Sequence, residues 1–143
     1  MSSGQRIIDG MKEAVAMMKR HHKRVLVCGG RNFANKHLVY TTLDNLHATF
    51  GPFECVIEGG ARGADHFAAI WSVRENIAER LKFQADWSTY GLAAGPRRNQ
   101  LMIDEGKPDL VVAFSGGRGT ADMVSRARKA GITVVHVPER AGG

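Results

Sequence analysis

Three apolar runs that each end in a pair of glycines restrict the fold of this chain more than any other feature of its sequence. The runs and the pairs that follow them are 24–28 with Gly29-Gly30, 53–57 with Gly59-Gly60, and 109–114 with Gly116-Gly117. Short, predominantly apolar runs of this kind are typical of strands that a parallel sheet buries on both faces. The glycines indicate that each strand runs into a tight loop.

Helical patterns separate these runs, so strands and helices alternate along the chain. A weaker strand is predicted at 81–85 and a last one at 132–137. The alternation predicts an α/β fold, a Rossmann-like three-layer sandwich with a mostly parallel five-stranded sheet. An amphipathic helix at 5–20 precedes the first strand. We therefore predict a helical appendage over 1–22 and one Rossmann-like domain over 23–143.

Most of the net charge of +6 lies at the start of the chain. Residues 1–24 hold six basic and two acidic side chains, which leaves a net charge of +2 on the rest. Proteins that follow a nucleic-acid backbone carry a clustered basic surface. Nucleic acid is therefore not the expected partner.

The remaining composition excludes a membrane protein and favours a reducing compartment. No run approaches the ~20 apolar residues of a membrane span, and the first ten residues lack a secretory signal. Cys28 and Cys55 lie inside apolar runs, which predicts buried free thiols. No histidine or cysteine cluster has metal-ligand spacing. We expect a cytoplasmic protein that contacts no membrane and holds no metal or resident cofactor.

The glycine loops predict a phosphate-binding edge of the sheet. Open parallel sheets bind ligands beyond the carboxyl ends of their strands, where helix starts present free N–H groups to anions. One such loop is often only a turn, but three at one edge favour a ligand. Neither G-x-G-x-x-G nor the G-K-[ST] of a nucleotide triphosphatase is present. The candidate backbone contacts are Gly29, Gly30, Gly59, Gly60, Gly63, Gly116, Gly117 and Gly119.

Arginines accompany the glycine loops. Arg31 follows the first pair, Arg62 lies in the second loop and Arg118 in the third, while Arg98 and Asn99 open the helix before the fourth strand. Guanidinium groups make bidentate contacts with phosphate, so several together suit an anionic ligand. For any single arginine, a surface salt bridge is the alternative.

Four polar residues beside the loops have two interpretations each. Thr120 is a candidate N-cap or ligand contact. Asp65 and Asp122, in the first turns of their predicted helices, either complement the helix dipole or bond a ribose hydroxyl. Glu58 ends a strand and is either a site carboxylate or the partner of a nearby arginine.

Four segments together resemble one known family. They are Cys28-Gly29-Gly30-Arg31, Gly59 to Asp65, Gly95 to Met102 and Ser115 to Met123. Their order over residues 24–137 resembles the YspA family, the cpYpsA-related branch of the SLOG superfamily. That superfamily includes sensors of nucleotide-derived ligands, the Lonely Guy phosphoribohydrolases and the DNA-processing protein DprA. The resemblance implies a Rossmann-like fold, a nucleotide-like ligand over the glycine loops, and a homodimer.

The Lonely Guy motif P-G-G-x-G-T-x-x-E tests whether the chain is an enzyme. Ser115 stands in place of the proline, and Met123 stands where the catalytic glutamate belongs. The family's catalytic arginine, with a methionine four residues on, matches Arg98 and Met102. Methionine cannot stabilise an oxocarbenium-like state. The resemblance therefore favours binding or sensing of a nucleoside monophosphate, ADP-ribose or an NAD-derived molecule.

Two alternatives remain open. The first is a phosphoribohydrolase, a nucleotide N-glycosidase, that uses Arg98 with a displaced carboxylate, Asp122 or Glu58. The second is single-stranded DNA binding as in DprA, which the low charge of the core disfavours. Trp87 and Tyr90 are the aromatic side chains that could stack on a base, either of DNA or of a nucleotide ligand.

Overall fold

The computed structural model describes residues 21–139, and the predicted helix at 5–20 lies outside them. The strands are β1 (Arg24–Cys28), β2 (Cys55–Glu58), β3 (Glu79–Lys82), β4 (Leu110–Phe114) and β5 (Thr133–Val137). The helices are α1 (Lys36–Phe50), α2 (Ala64–Arg74), α3 (Trp87–Tyr90), α4 (Ala94–Asp104) and α5 (Arg118–Lys129), with a 3₁₀ turn at Gly91–Ala93. Strands and helices alternate as the sequence predicts.

All five strands are parallel, and their order in the sheet is β3-β2-β1-β4-β5. In the centre, Leu26 pairs with Ile57 on one side and with Val111 on the other. The chain adds β2 and β3 on one side of β1, then returns to add β4 and β5 on the other. Such a reversal opens a crevice between the carboxyl ends of the two central strands. The predicted Rossmann-like α/β fold is confirmed.

Two apolar cores lie on opposite faces of the sheet, because successive strand side chains point to opposite sides. Val25 and Val27 pack with Trp71 in the core that α1 and α2 cover. Leu26 and Cys28 belong to the core that α4 and α5 cover. The layers are therefore helix, sheet and helix, and both cysteines are buried and free as predicted.

Two boundaries differ from the sequence prediction. The third strand lies at Glu79–Lys82 rather than 81–85, because it is an edge strand whose residues are mostly exposed and polar. Helix α4 begins at Ala94, before Arg98 and Asn99, so these two residues do not open it. Pro96 in its first turn needs no intrahelical N–H bond, so the proline is compatible with a helix start. No helix within residues 21–139 has the length and apolar character of a membrane span.

Candidate functional site

A cavity of about 700 Å³ lies at the crevice between β1 and β4, within the size range of small-ligand sites. The predicted site residues that line it are Gly29, Gly30, Arg31, Gly59, Asp65, Arg98, Asn99, Gly117, Arg118, Gly119, Thr120 and Asp122. The predicted residues that do not line it are Glu58, Gly60, Arg62, Gly63 and Gly116. The cavity thus brings together residues from all three glycine loops and from α4.

The loops after β1 and β4 pack directly on each other. The Gly30 amide donates to the Ser115 carbonyl at 2.9 Å. A Cβ added at Gly29 would lie 2.6 Å from the Ala64 Cβ, and one added at Gly116 would lie 2.7 Å from the Gly30 nitrogen. The packing of this chain on itself therefore excludes a side chain at these glycines, with or without a ligand.

The loop after β2 holds an internal carboxylate. Asp65, at the start of α2, accepts from the Gly59 amide at 2.9 Å and from the Ala61 amide at 3.4 Å. Arg98 reaches the same loop from α4, and its Nη1 donates to the Gly59 carbonyl at 2.6 Å. The absence of a side chain at Gly59 allows both contacts, because an added Cβ would lie under 3 Å from atoms of Asp65 and Arg98.

Burial changes the titration of this cluster. It raises the pKa of Asp65 to about 6, and the charge of Glu58 adds to this, against the Ala61 and Gly59 amides and Arg98. Burial also raises the pKa of Glu58, although the hydrogen bond that Glu58 accepts from the Gly60 amide opposes the shift. Asp65 is thus a carboxylate that gains its proton in mildly acidic solution.

Helix α5 begins in open space. Gly117 precedes its first residue and no side chain caps the helix. Within the part of the chain that the structure describes, a Cβ added at Gly117 or Gly119 would meet no neighbouring atom within 4 Å. The first N–H groups of any α-helix have no acceptor inside the helix. The predicted N-cap role of Thr120 is wrong, because Thr120 is the third residue of the helix.

A polar network ties α4 to α5 on the cavity wall. Buried Asn99 donates to Asp122 Oδ2 at 2.9 Å and to the Gly119 carbonyl at 3.1 Å, and accepts from Arg98 Nε at 3.0 Å. Arg126 Nε donates to the same Asp122 oxygen at 2.8 Å. Burial acts to raise the pKa of Asp122, but Arg126 and Asn99 outweigh it and the pKa is lowered. Asp122 lies in the second turn of α5, not in the first turn as predicted.

Three arginines face the cavity without a carboxylate partner. Arg31, Arg98 and Arg118 line it, and none of them forms a salt bridge within residues 21–139. Arg62 is exposed outside the cavity. The charges of Asp65 and Glu58 still act on Arg98. Arg31 and Arg118 therefore carry the positive charge of the wall that no salt bridge within residues 21–139 pairs.

Two contributors were missed from the sequence. Arg126 holds Asp122, and its position four residues along the same helix is a spacing that could have revealed the pair. Leu92 lines the cavity although it is 92% exposed, and no sequence pattern distinguishes it from an ordinary loop leucine.

Comparison with known proteins places the chain in a family. A model of the YspA, cpYpsA-related SLOG family, abbreviated YAcAr, matches residues 23–90. This chain belongs to the YAcAr family. The Gene 61 protein of Mycobacterium phage D29 is 37% identical to this YAcAr chain over 127 residues, which cover 82% of the chain and 98% of the phage protein. The family predicted from the four segments is confirmed.

Two solved structures share the YAcAr fold. DprA from Streptococcus pneumoniae matches with a TM-score of 0.64 and 16% identity over 87% of this chain and 52% of DprA. DprA from Helicobacter pylori, described for its single-stranded DNA binding mode, matches with a TM-score of 0.57 and 19% identity over 82% of this chain and 66% of DprA. The YAcAr chain thus spans about half the length of the streptococcal protein, and the likeness extends to the fold.

Proposed function

We propose that this protein binds a nucleotide-derived molecule, a nucleoside monophosphate, ADP-ribose or an NAD derivative, in the cavity between β1 and β4. One observation carries the proposal. Gly117 and Gly119 stand where no atom of residues 21–139 requires a glycine, and both border the start of α5, which no side chain of those residues caps. Without side chains at these two positions, a phosphate can come close to the backbone at the start of α5.

The ligand's phosphate would lie against the first turn of α5. The first amides of a helix have no acceptor inside it and the helix dipole adds partial positive charge, which together favour an anion. Arg118 lies on the same turn, while Arg31 and Arg98 face the cavity from the other side of the crevice. Their guanidinium groups would supply charge-assisted hydrogen bonds to phosphate oxygens.

The ribose would lie beside the network of α4 and α5. The bonds that Asn99 and Arg126 donate to Asp122 both go to Oδ2. Oδ1 is then the atom that would accept from a ribose hydroxyl. Because Asp122 stays ionised over the neutral range, it is an acceptor rather than a proton donor.

The geometry supports a phosphoribohydrolase less well. Glu58 does not line the cavity, and Asp122 is held by Arg126. Met123, at the position of the Lonely Guy glutamate, is 1% exposed and packs in the core under α5. Incubation with nucleoside monophosphates and chromatography for free base measures this activity directly, and we expect no base to appear.

Calorimetry tests the binding proposal. Titrations with AMP, ADP-ribose, NAD and ribose 5-phosphate should give saturable heat with at least one of them. Arg118→Ala should weaken that binding at least tenfold, since a hydrogen bond to a charged group contributes about 1.5–3 kcal/mol. Arg62→Ala is the matched control, because Arg62 is exposed in a neighbouring loop outside the cavity, and it should leave binding unchanged.

Two results would overturn the proposal. The first is the absence of heat with every nucleotide, above all if a salt-dependent shift of single-stranded DNA appears in a gel, as the DprA fold would allow. The second is equal loss of binding in Arg118→Ala and Arg62→Ala, which would indicate attraction to net charge rather than a site.

A further inference from the structure

We infer that Trp87 stacks on the base of the bound nucleotide, so that the cavity selects base-bearing nucleotides, purines first, over base-free sugar phosphates. The inference rests on the proposed nucleotide binding and adds what recognises the base. It is carried by the position of Trp87 in the cavity wall, by the room that Gly95 leaves for its indole, and by the contrast with a second exposed aromatic residue nearby.

Trp87 is the aromatic side chain of the cavity wall. It is 46% exposed, yet it lines the same cavity as Arg118 and the α5 start. The edge of its indole lies against the first turn of α4, where a Cβ added at Gly95 would be 3.3 Å from the ring. The absence of a side chain at Gly95 leaves room for this edge of the indole, and Arg31 lies over the ring.

Arg31 connects the indole to the phosphate-binding loops. Its guanidinium carbon lies 5.6 Å from the centroid of the Trp87 ring, and it directly follows Gly29-Gly30. A nucleotide whose phosphate lies at Gly117 and Arg118 could place its base against the indole, because these residues and Trp87 line the same cavity. Arginine and tryptophan together form the kind of platform on which nucleic-acid bases stack.

The wall around Trp87 is apolar, unlike the wall at the glycine loops. Leu92 and Pro96 line the cavity from the same segment, and Leu92 is 92% exposed. Exposed apolar side chains that border a cavity lose water contact when a ligand covers them, which stabilises the complex. A flat heterocycle matches this wall, whereas a sugar phosphate has no group to place there.

Tyr90 shows that exposure alone does not define the platform. It is 44% exposed on the same helix as Trp87, but it does not line the cavity, and its ring lies under Arg97 at 4.0 Å. Tyr90→Ala therefore removes an equally exposed aromatic side chain from the same segment without touching the cavity wall.

The experiment compares AMP with ribose 5-phosphate, its base-free counterpart, by calorimetry. Trp87→Ala should weaken AMP binding about tenfold and leave ribose 5-phosphate binding unchanged, since a stacked base contributes through its ring face. Trp87→Phe should recover most of the loss, and Tyr90→Ala should have no effect. In the wild type, AMP and GMP should bind more tightly than CMP and UMP because a purine covers more of the indole.

Intrinsic fluorescence gives an independent readout, because the chain has two tryptophans and Trp71 is fully buried. Saturating AMP should quench the wild type, ribose 5-phosphate should not, and Trp87→Phe should abolish the quenching. Equal loss of both ligands in Trp87→Ala, or no effect of that variant on AMP, would overturn the stacking role and leave the phosphate site standing. If neither ligand binds the wild type, the proposed function falls and this inference falls with it.

Discussion

The glycine loops after β2 and after β4 are similar in sequence and opposite in construction. The β2 loop is filled from within, since the carboxylate of Asp65 accepts two of its amides and Arg98 binds its carbonyl. At the β4 loop, no side chain of residues 21–139 caps α5, and a Cβ added at Gly117 or Gly119 would meet none of their atoms within 4 Å. One loop carries its own anion, and the other leaves the start of α5 open, which is where we propose that the ligand's phosphate binds.

This difference shows that a glycine after a strand has one of two separate physical causes, and the pair after β4 contains both, because Gly116 is packed against Gly30 while Gly117 is open. In one, the protein's own atoms occupy the space of a side chain. In the other, the protein leaves that space open. Only the second cause points to a ligand, and measurements of stability and of binding should separate the two classes of glycine.

The largest expected effect on stability is at Gly63, which belongs to the self-filled class. Its φ is +77°, and an added Cβ would overlap the Gly30 carbonyl oxygen. Gly63→Ala should lower the free energy of unfolding by about 4 kcal/mol, from left-handed strain and overlap together. Urea denaturation measures this. Gly131→Ala is the control, since its φ is +75° with no atom nearby, and a loss as large as that of Gly63→Ala would contradict the role of overlap.

The internal anion of the β2 loop should make stability depend on pH. The pKa of Asp65 is raised from 3.8 to about 6 in the folded protein. Protonation of Asp65 therefore stabilises the fold fully below pH ~4, and this stabilisation is lost as the pH rises through ~6. Relative to Asp65→Asn, the wild type should lose up to ~3 kcal/mol of unfolding free energy between pH 3.5 and 7. Denaturation at several pH values measures the difference. If the difference in unfolding free energy between the wild type and Asp65→Asn stays constant with pH, Asp65 is not the group that titrates.

A smaller loss is expected where the β1 loop meets α2. Gly29→Ala would bring a Cβ to 2.6 Å from the Ala64 Cβ and 3.0 Å from the Phe114 Cβ. Overpacking of this kind costs about 2 kcal/mol. Thermal unfolding should show the loss, and Gly117→Ala, in open space, should unfold like the wild type. Equal melting temperatures for Gly29→Ala and Gly117→Ala would contradict the division into packed and open glycines.

The smallest change in stability should accompany a clear change in binding. Gly119→Ala replaces a helical glycine that has no neighbour within 4 Å, so it should stabilise the free protein by about 0.5 kcal/mol. The added methyl group would stand in the path of a phosphate and weaken AMP binding in calorimetry about tenfold. Unchanged binding in a folded Gly119→Ala protein would remove the main support for the ligand's position.

The sequence predicts the central strands well because burial on both faces leaves an apolar run. β4 is buried along its whole length, whereas β3, at the edge, is mostly exposed and its predicted position is shifted. The family and the Rossmann-like fold are confirmed. The amphipathic helix at 5–20, the homodimer and the cytoplasmic location stay predictions.

The candidate site is harder to predict than the fold because its roles depend on contacts between distant residues. Asp65 accepts a hydrogen bond from the amide of Gly59, six residues earlier, because the loop folds back on itself. Asn99 on α4 donates to Asp122 on α5, a contact between two separate helices. Sequence can place a carboxylate near a glycine loop. It cannot say whether that carboxylate faces a ligand or fills the loop itself.

The reversal of strand order also has a mechanical consequence. The β1 loop and the β4 loop belong to opposite halves of the sheet. A ligand between them would contact both halves and so connect them. A ligand that binds the folded protein and not the unfolded chain stabilises it, so the melting temperature should climb with the logarithm of nucleotide concentration above the dissociation constant. A thermal scan would then report ligand binding, and a rise that Arg118→Ala shifts to higher nucleotide concentration would assign that binding to the crevice.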